Sequence, residues 1–326
     1  MTSSPVLVTG AAGFIGSHLT ELLVAQGHRV RALVHYNSRN DWGWLEDSLV
    51  AKDIEVVLGD VRDFDAIYRA MKGCHAVFHL GALVGIPYSY ESPLAYVRTN
   101  VEGTYNVLEA ARQLSLGEVI VTSTSETYGT AQYIPIDERH PLVGQSPYSA
   151  TKIAADQLAL SYHRSFGLPV KIVRPFNTYG PRQSARAVVP TIAVQILSGM
   201  REIRLGNLTP TRDLTFVSDT ARGFHEIFRS DASRGEITNV GTNTEISVSE
   251  LVQTIARLLR VNVTVAQDDR RVRPAASEVE RLRCDNAKIL RQTGWRPLHS
   301  LEQGLGETIE WLKLHQARYK PERYTC

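Results

Sequence analysis

The sequence has little cysteine and no excess of charge of either sign. Its three cysteines, Cys74, Cys284 and Cys326, are too widely spaced for a disulfide framework or a zinc site, so we expect no bound metal. Lysine and arginine number 36 and aspartate and glutamate 34, which leaves a net charge of +2. This balance gives no electrostatic reason to expect binding to nucleic acid or to an anionic membrane.

Long apolar runs are also missing. No stretch approaches the ~20 consecutive apolar residues that a membrane span needs. Residues 1–5 lack the basic region and the apolar core of a signal peptide. Apolar residues nevertheless make up 43% of the 326 residues, which is enough for a sizeable buried core. We therefore expect a soluble, cytoplasmic globular protein of about two domains, at roughly 150 residues per domain.

Short β-branched runs alternate with amphipathic helical stretches in the first half of the chain. These patterns predict a helix after the first strand, further helices over 101–114 and 147–166, and strands over 6–8, 30–34, 54–58, 76–80, 118–122 and 170–173. Apolar strands separated by helices predict an α/β fold with a doubly wound, Rossmann-like parallel sheet that is covered on both faces.

The alternation weakens after Pro175, where we expect a smaller α/β domain above the carboxyl edge of the sheet. The pattern predicts helices over 188–197 and 248–259 and a strand over 238–240 that returns to the main sheet. The nucleotide-binding domain is therefore expected to comprise 1–174 and 214–242, and the second domain 175–213 and 243–326.

A glycine-rich segment follows the first predicted strand. Residues 10–16 read GAAGFIG. Gly10 permits a tight turn, Gly13 lets the backbone approach a pyrophosphate, and Gly16 allows the helix to pack closely on the strand. The start of that helix offers free N–H groups and a positive dipole end to phosphates. The segment therefore predicts a dinucleotide site.

The end of the second predicted strand has no acidic residue to bind the adenosine ribose hydroxyls of NAD. His35, Asn37, Ser38 and Arg39 lie there, and the first acid is Asp41. A neutral or basic loop suits a 2′-phosphate, which slightly favours NADP. The alternative is that NAD binds without this contact.

Tyr148 and Lys152 open the helix predicted over 147–166. Ser146 is a suitable N-cap, and Pro147 suits the first helical position. A spacing of four places the phenol and the ammonium on one helical face. The ordinary tyrosine pKa of ~10 is too high for a base, but a nearby ammonium and an oxidised nicotinamide would both lower it. The pair therefore predicts removal of a hydroxyl proton while hydride leaves the same carbon.

A run of hydroxyl side chains follows the strand predicted over 118–122, and it includes Thr124 and Ser125. Glu126 comes next. A carboxylate at this point can remove a proton that a neighbouring ketone has made acidic. The alternative is a glutamate that only caps a turn.

These motifs resemble those of the extended short-chain dehydrogenases/reductases that act on nucleotide sugars. The resemblance rests on the glycine spacing of 10–16, on GDVRD at 59–63 and on FHLGA at 78–82, and it covers nearly the whole chain. It implies NAD or NADP as cofactor. The residues expected to contact the cofactor are Gly10, Gly13, Phe14, Ile15, Gly16, His35, Asn37, Ser38, Arg39, Asp60, Val61, Leu80, Gly81, Ala82, Tyr148 and Lys152.

Within this family the pair Ser125-Glu126 resembles the 4,6-dehydratases rather than the 4-epimerases. The resemblance implies that Thr124 holds the reacting hydroxyl of the sugar. Glu126 would remove the C5 proton once C4 is a ketone and then protonate the departing O6, with Ser125 where many dehydratases carry aspartate. The substrate contacts that the resemblance implies are Asn177, Arg186, Arg212, Arg273 and Glu278.

Several longer strings narrow the resemblance to the N-acetylglucosamine nucleotide 4,6-dehydratases of legionaminic acid pathways. They lie at 36–38, 42–45, 86–90, 129–133, 183–188 and 205–211. This implies GDP-N-acetylglucosamine as substrate and a 4-keto-6-deoxy product, while UDP and dTDP sugars stay open. A nucleotide-sugar 4-epimerase and a non-catalytic NAD(P)-binding regulator are the alternatives. The family also implies a homodimer formed through the helix that bears Tyr148 and the helix before it.

Overall fold

The computed structural model describes residues 4–320, so Cys326 and residues 1–3 lie outside the described part of the chain. Its strands are β1 Val6–Thr9, β2 Val30–Val34, β3 Ile54–Leu58, β4 Ala76–His79, β5 Glu118–Thr122, β6 Val170–Pro175, β7 Asn177–Tyr179, β8 Glu202–Leu205, β9 Thr211–Arg212, β10 Leu214–Phe216, β11 Ile237–Val240, β12 Ile246–Ser247 and β13 Thr264–Gln267.

Helices connect most of these strands. They are α1 Phe14–Ala25, α2 Phe64–Met71, α3 Ile86–Glu91, α4 Pro93–Tyr96, α5 Gly103–Gln113, α6 Pro147–Phe166, α7 Val188–Leu197, α8 Val217–Arg229, α9 Val248–Leu259, α10 Ala287–Thr293 and α11 Leu301–Leu314. One π-helical turn, Val97–Glu102, joins α4 to α5.

The main sheet has seven strands in the order β11-β6-β5-β4-β1-β2-β3, and every neighbouring pair is parallel. The doubly wound Rossmann-like fold predicted from the sequence is therefore confirmed. The strand expected over 238–240 does return to this sheet, where Ile237 pairs with Ile172 of β6.

Alternate residues of the central strand β1 face opposite layers of the fold. Val6 and Val8 lie in a core with α1 and α8, whereas Leu7 lies in a second core with α2, α5 and α6. All three side chains are fully buried. The continuous apolar runs in the sequence follow from this arrangement, because successive side chains of a strand point to opposite faces and helices cover both.

The helix α6 has the ends that its sequence predicts. Ser146 is the N-cap, its hydroxyl accepts a hydrogen bond from the backbone of Ser149, and Pro147 occupies the first helical position. Gly167 ends the helix in the left-handed conformation at φ 68°, which costs glycine little. This helix carries Tyr148 and Lys152, so its start also fixes where their side chains lie.

A third apolar core joins α7, α9 and α11 to three two-stranded sheets, β7 with β10, β8 with β13 and β9 with β12. Ile289 and Trp295, which lie between α9 and α11 in the sequence, pack instead with β1 and α8 in the first core. The chain therefore crosses between the two halves of the molecule several times, and the domain limits given above stay a prediction. Within residues 4–320, no helix is long and apolar enough to cross a membrane, and Cys74 and Cys284 are unpaired.

Candidate active site

The turn between β1 and α1 has the shape of a phosphate cradle. Gly10 lies at φ 69°, and a Cβ there would be 2.8 Å from the backbone nitrogen of Gly81. At Gly16 a Cβ would be 2.1 Å from the carbonyl oxygen of Gly10, so only glycine lets the helix approach the strand. Gly13 begins α1 without a side-chain cap. The first N–H groups of the helix are therefore free for an anion, and the segment fits a dinucleotide pyrophosphate.

A hydrogen-bonded chain supports the cofactor loop after β4. The backbone N–H groups of Leu80 and Gly81 donate to Thr9 Oγ1 at 3.1 and 3.0 Å, so the Thr9 hydroxyl in turn donates to His79 Nδ1 at 2.8 Å. This leaves the proton on His79 Nε2, which donates to Thr104 Oγ1 at 3.1 Å. His79 is therefore held as one neutral tautomer.

This series of hydrogen bonds continues to α6, the helix that carries Tyr148 and Lys152. The Thr104 hydroxyl donates to the Asn100 carbonyl at 2.6 Å, and Asn100 Nδ2 donates to Thr151 Oγ1 at 3.1 Å. The Thr151 hydroxyl donates to the backbone carbonyl of Tyr148 at 2.7 Å. Thr9 and Asn100 carry no motif in the sequence. His79 lies inside the FHLGA string, but nothing there indicates that it would be buried.

The loop expected to bind the adenosine end of the cofactor is held by its own side chains. Asn37 Oδ1 accepts from the Arg39 backbone at 3.1 Å, and Asn37 Nδ2 donates to the Asp41 carbonyl at 2.8 Å. Arg39 pairs with Asp41 at 3.0 Å, while 82% of the Arg39 side chain is exposed. The Arg39 guanidinium can therefore turn toward a ligand, but the Asn37 amide is already used.

Asp60 lies beside this loop, next to Arg62 and His35. Hydrogen bonds from Arg62 lower the pKa of Asp60 to about 2, and His35 Nε2 lies 3.3 Å from its carboxylate. Val61 packs next to Asp60, where its methyl group would be 2.9 Å from a Cβ on Gly81. An open groove of about 640 Å³ adjoins these residues, and it is lined by Asp60, Arg62, Asp63, Arg98 and Glu102.

Three of the predicted catalytic side chains come together where β5 meets α6. Thr124 Oγ1 accepts from the Glu126 backbone N–H at 3.3 Å, and interaction of the Thr124 side chain with the Tyr148 phenol favours a lower pKa of the phenol. Burial raises the pKa of Tyr148, and the charge of Glu126 adds to the rise. Burial lowers the pKa of Arg212, and the charge of Glu126 opposes that change. The charge of Glu126 therefore acts on both Tyr148 and Arg212, and Ser125 is buried in the same turn.

Burial raises the pKa of Tyr148 in this structure, whereas the sequence predicts that a nearby ammonium and a bound oxidised nicotinamide together lower it. Lys152 Nζ donates to the Thr122 carbonyl at 2.5 Å. Burial lowers the pKa of Lys152, and the charge of Asp156 opposes the change. The spacing of four correctly places both side chains on the buried face of α6. It does not reveal that burial of the phenol outweighs the nearby ammonium.

A fully buried ion pair lies behind these residues. Arg174 Nη2 is 2.7 Å from the Asp156 carboxylate, and neither side chain is exposed to solvent. Ser123 donates to the same carboxylate at 2.5 Å, and the Arg174 guanidinium lies 4.6 Å from the ring centroid of Tyr128. The pair thus joins β6 and α6 to the turn that carries Glu126.

Three of the five predicted substrate residues form one cluster around Glu278. Glu278 lies 3.4 Å from Arg212 and 3.5 Å from Arg273. Asn177 Oδ1 is buried without a hydrogen-bond partner, which leaves an acceptor for a ligand. Arg186 is exposed and lies apart, next to Gly85, where a Cβ would be 3.2 Å from its Nη1.

Most of the chain matches a known protein family. Residues 7–308 match the family model described as GDP-mannose 4,6 dehydratase. The chain belongs to that family. No group of three or more His, Cys, Asp or Glu side chains that could hold a metal ion occurs in the described ranges.

Relatives in the GDP-mannose 4,6 dehydratase family include dehydratases and epimerases. The dTDP-glucose 4,6-dehydratase of Streptomyces antibioticus is 32% identical over 320 residues, which cover 97% of this chain and 94% of that protein. The dTDP-glucose 4,6-dehydratase DesIV of Streptomyces venezuelae, solved with NAD bound, has a TM-score of 0.89 at 30% identity and covers 97% of this chain and 99% of its own. The UDP-glucuronic acid 4-epimerase of Bacillus cereus, solved with UDP-glucuronic acid and NAD, has a TM-score of 0.86 at 26% identity and covers 95% and 99%.

The resemblance to nucleotide-sugar enzymes of the extended short-chain dehydrogenase/reductase type is therefore confirmed at the level of the family. The similar solved structures bind NAD and nucleotide sugars, and the glycine turn of this chain has the geometry that such a cofactor needs.

His79 makes a testable contribution to acid stability. Burial lowers its pKa from 6.5 to about 3, with a smaller effect from Lys152. The folded protein then binds fewer protons than the unfolded chain below the unfolded pKa, so stability is full above that value and falls as the pH drops. From about pH 7.5 to about pH 5 this one group should cost ~2 kcal/mol of unfolding free energy.

The His79→Gln variant should therefore lose less stability than the wild type over that pH range, although it is less stable at neutral pH. Urea unfolding at several pH values measures the slope. A Leu314→Gln variant, which changes an exposed side chain without a titrating group, should keep the wild-type slope. A wild-type slope in His79→Gln would contradict the assignment.

Proposed function

We propose that this chain is a nucleotide-sugar 4,6-dehydratase that works with a bound NAD(P). The observation that carries the proposal is Glu126, a buried carboxylate in the turn next to Thr124, whose charge acts on both Tyr148 and Arg212. A 4-epimerase needs Tyr148 and Lys152 but has no proton for Glu126 to move. The many dehydratase relatives support the same reading.

The first steps concern C4 of the sugar. A bound nicotinamide dinucleotide would supply a two-electron acceptor and donor together with the positive charge of its oxidised ring, and the glycine turn at 10–16 would hold its pyrophosphate. Tyr148 takes the O4 proton as C4 becomes a ketone, and Thr124 holds the same hydroxyl. Because burial raises the pKa of Tyr148, a positive charge near the phenol is needed before the phenolate forms at neutral pH.

Glu126 then carries out the proton transfers of water elimination. The C4 ketone makes the C5 proton acidic, and the Glu126 carboxylate removes it. Glu126 passes this proton to O6, so that the C6–O bond breaks and water leaves. Hydrogen returns to C6, and C5 takes a proton from solvent in exchange for the one that Tyr148 releases. No cofactor is consumed over a full turnover.

The substrate is proposed to be GDP-N-acetylglucosamine, or its UDP counterpart, with a 4-keto-6-deoxy product. Guanidinium groups suit the geometry of a diphosphate, and Arg212 and Arg273 lie together around Glu278. The unpaired Asn177 oxygen supplies a further acceptor. The choice of guanine and of the N-acetyl sugar rests on the resemblance of the longer strings alone.

Incubation of the purified protein with GDP-, UDP- and dTDP-linked glucose and N-acetylglucosamine, without added cofactor, tests the reaction. Mass spectrometry should show loss of one water and proton NMR a new C6 methyl signal. Glu126→Gln should slow water loss at least ~100-fold because the base and acid are gone. Glu310→Gln, on an exposed face of α11, should leave the rate unchanged.

Other outcomes contradict the proposal in distinct ways. Water loss at the wild-type rate in Glu126→Gln would remove Glu126 from the chemistry. An unchanged mass with inversion at C4 would identify a 4-epimerase. No conversion of any sugar would favour the non-catalytic regulator.

We also propose that NADP binds slightly better than NAD. Arg39 and Ser38 lie in a loop without an acid at the expected position, and Arg39 is mostly exposed. Asp41 and Asp60 lie nearby and oppose a phosphate, which keeps the preference small.

The Arg39→Ala variant should therefore weaken NADP binding about tenfold, the value of one charge-assisted hydrogen bond, and leave NAD binding unchanged. Titration calorimetry of protein freed of nucleotide gives both dissociation constants. Arg139→Ala, which changes an exposed arginine elsewhere, serves as the control. Equal losses for NAD and NADP would contradict the preference.

A homodimer is proposed through α5 and α6. Leu94, Val97 and Tyr105 expose 58, 46 and 45% of their surfaces along the α4–α5 segment. Their spacing places them on one side of the helical segment, and Ile153 of α6 is partly buried. A stripe of this kind is typical of a two-fold interface.

Light scattering at micromolar concentration should give twice the mass of the 36.3 kDa chain. Val97→Glu and Tyr105→Glu should each shift the protein to the monomer mass, because a charge cannot be buried unpaired at the interface. Leu314→Glu, at an exposed position of α11, should stay dimeric. A monomeric wild type would refute the interface.

A further inference from the structure

Gln145 lies immediately before the N-cap of α6 and belongs to none of the motifs that identify the site. Its side-chain amide makes three hydrogen bonds. Oε1 accepts from the Thr130 backbone N–H at 2.5 Å, and Nε2 donates to the carbonyl oxygens of Ala276 at 3.2 Å and Glu278 at 3.1 Å. One amide therefore joins two segments that are far apart in sequence.

The first of these segments ends the turn that carries Glu126. The Gly129 N–H donates to the Glu126 carbonyl at 3.3 Å. Gly129 itself lies at φ 65°, where a Cβ would be 2.5 Å from Gln145 Oε1. This close approach leaves the turn little freedom to move relative to Gln145.

The second segment contains Glu278, which forms a cluster with Arg212 and Arg273. This cluster is the site proposed for the substrate diphosphate. The Glu278 carboxylate contacts Arg212 and Arg273, while its backbone carbonyl accepts from Gln145. Thr130 strengthens the same link, because the Glu280 N–H donates to Thr130 Oγ1 at 3.0 Å. Gln145 and Thr130 thus hold Glu278 at a fixed distance from the turn with Glu126.

We propose that Gln145 is a positioning residue that couples the grip on the substrate diphosphate to the placement of Glu126 for proton transfer. The inference rests on the proposed function. The amide is the group that this position requires, because it presents an acceptor to one segment and two donors to the other. Glutamate would keep the acceptor but would face two carbonyl oxygens without a proton to share.

The test measures both ends of the link in the cofactor-loaded protein. Titration calorimetry with GDP, UDP and dTDP measures the grip on the diphosphate, and NMR in deuterated water measures hydrogen exchange at C5 together with kcat. Gln145→Ala should weaken binding of the best nucleotide about tenfold and lower kcat about tenfold, which corresponds to loss of several hydrogen bonds shared between two effects. Gln145→Glu should weaken nucleotide binding at least as much while it loses less in kcat, because its acceptor for Thr130 is kept.

A matched control is Gln113→Ala, which removes an exposed glutamine that bonds to Glu109 and should behave as wild type. Thermal unfolding is recorded for each variant, because a purely structural role would lower the unfolding temperature without a change in nucleotide affinity or in kcat of the folded protein. That result, or a change in only one of the two quantities in Gln145→Ala, would overturn the coupling.

Failure of the proposed function gives a different pattern. The wild type would then convert no nucleotide sugar, while nucleotide affinity is still measured in every variant. In that case an unchanged affinity in Gln145→Ala overturns the positioning role as well. A weakened affinity retains the link to Glu278 and removes only its connection to proton transfer.

Discussion

The buried ion pair between Arg174 and Asp156 is the constraint on which the rest of the site depends. It lies between β6 and α6, and Ser123 at the end of β5 donates to the same carboxylate. Since neither charge reaches solvent, removal of one partner would leave the other unpaired in the core at a cost of about 3–5 kcal/mol. The pair thereby sets the distance between the helix that carries Tyr148 and the turn that carries Glu126.

The elements predicted well are those whose ends are determined by residues close to them in the sequence. Ser146, Pro147 and Gly167 mark the two ends of α6, and the apolar runs of the main sheet mark strands buried on both faces. The strands β9 and β12 have two residues each and show no periodicity. They exist because Ile246 and Arg212 meet beside the third core, which depends on the packing of the whole chain.

The residues of the site show the same difference between local and long-range effects. Residues proposed to contact ligands lie in motifs, so the sequence alone is enough to propose Gly10, Tyr148 and Glu126. Residues that hold them, such as Asn100 and Gln145, act through partners distant in sequence and carry no local signal. Burial is likewise invisible to spacing, which is why the direction of the pKa shift at Tyr148 could not be obtained from its distance to Lys152.

The late return of β11 to the sheet has a consequence for synthesis of the chain on the ribosome. Until residue 240 has emerged, β6 is an unpaired edge whose free N–H and C=O groups could pair with another nascent chain. Lys171 and Arg174 interrupt this otherwise apolar strand, and both are fully buried once folding is complete. Charges on an open edge discourage pairing between chains. A strand that carries two cations is therefore a poor partner for a second nascent chain during this interval.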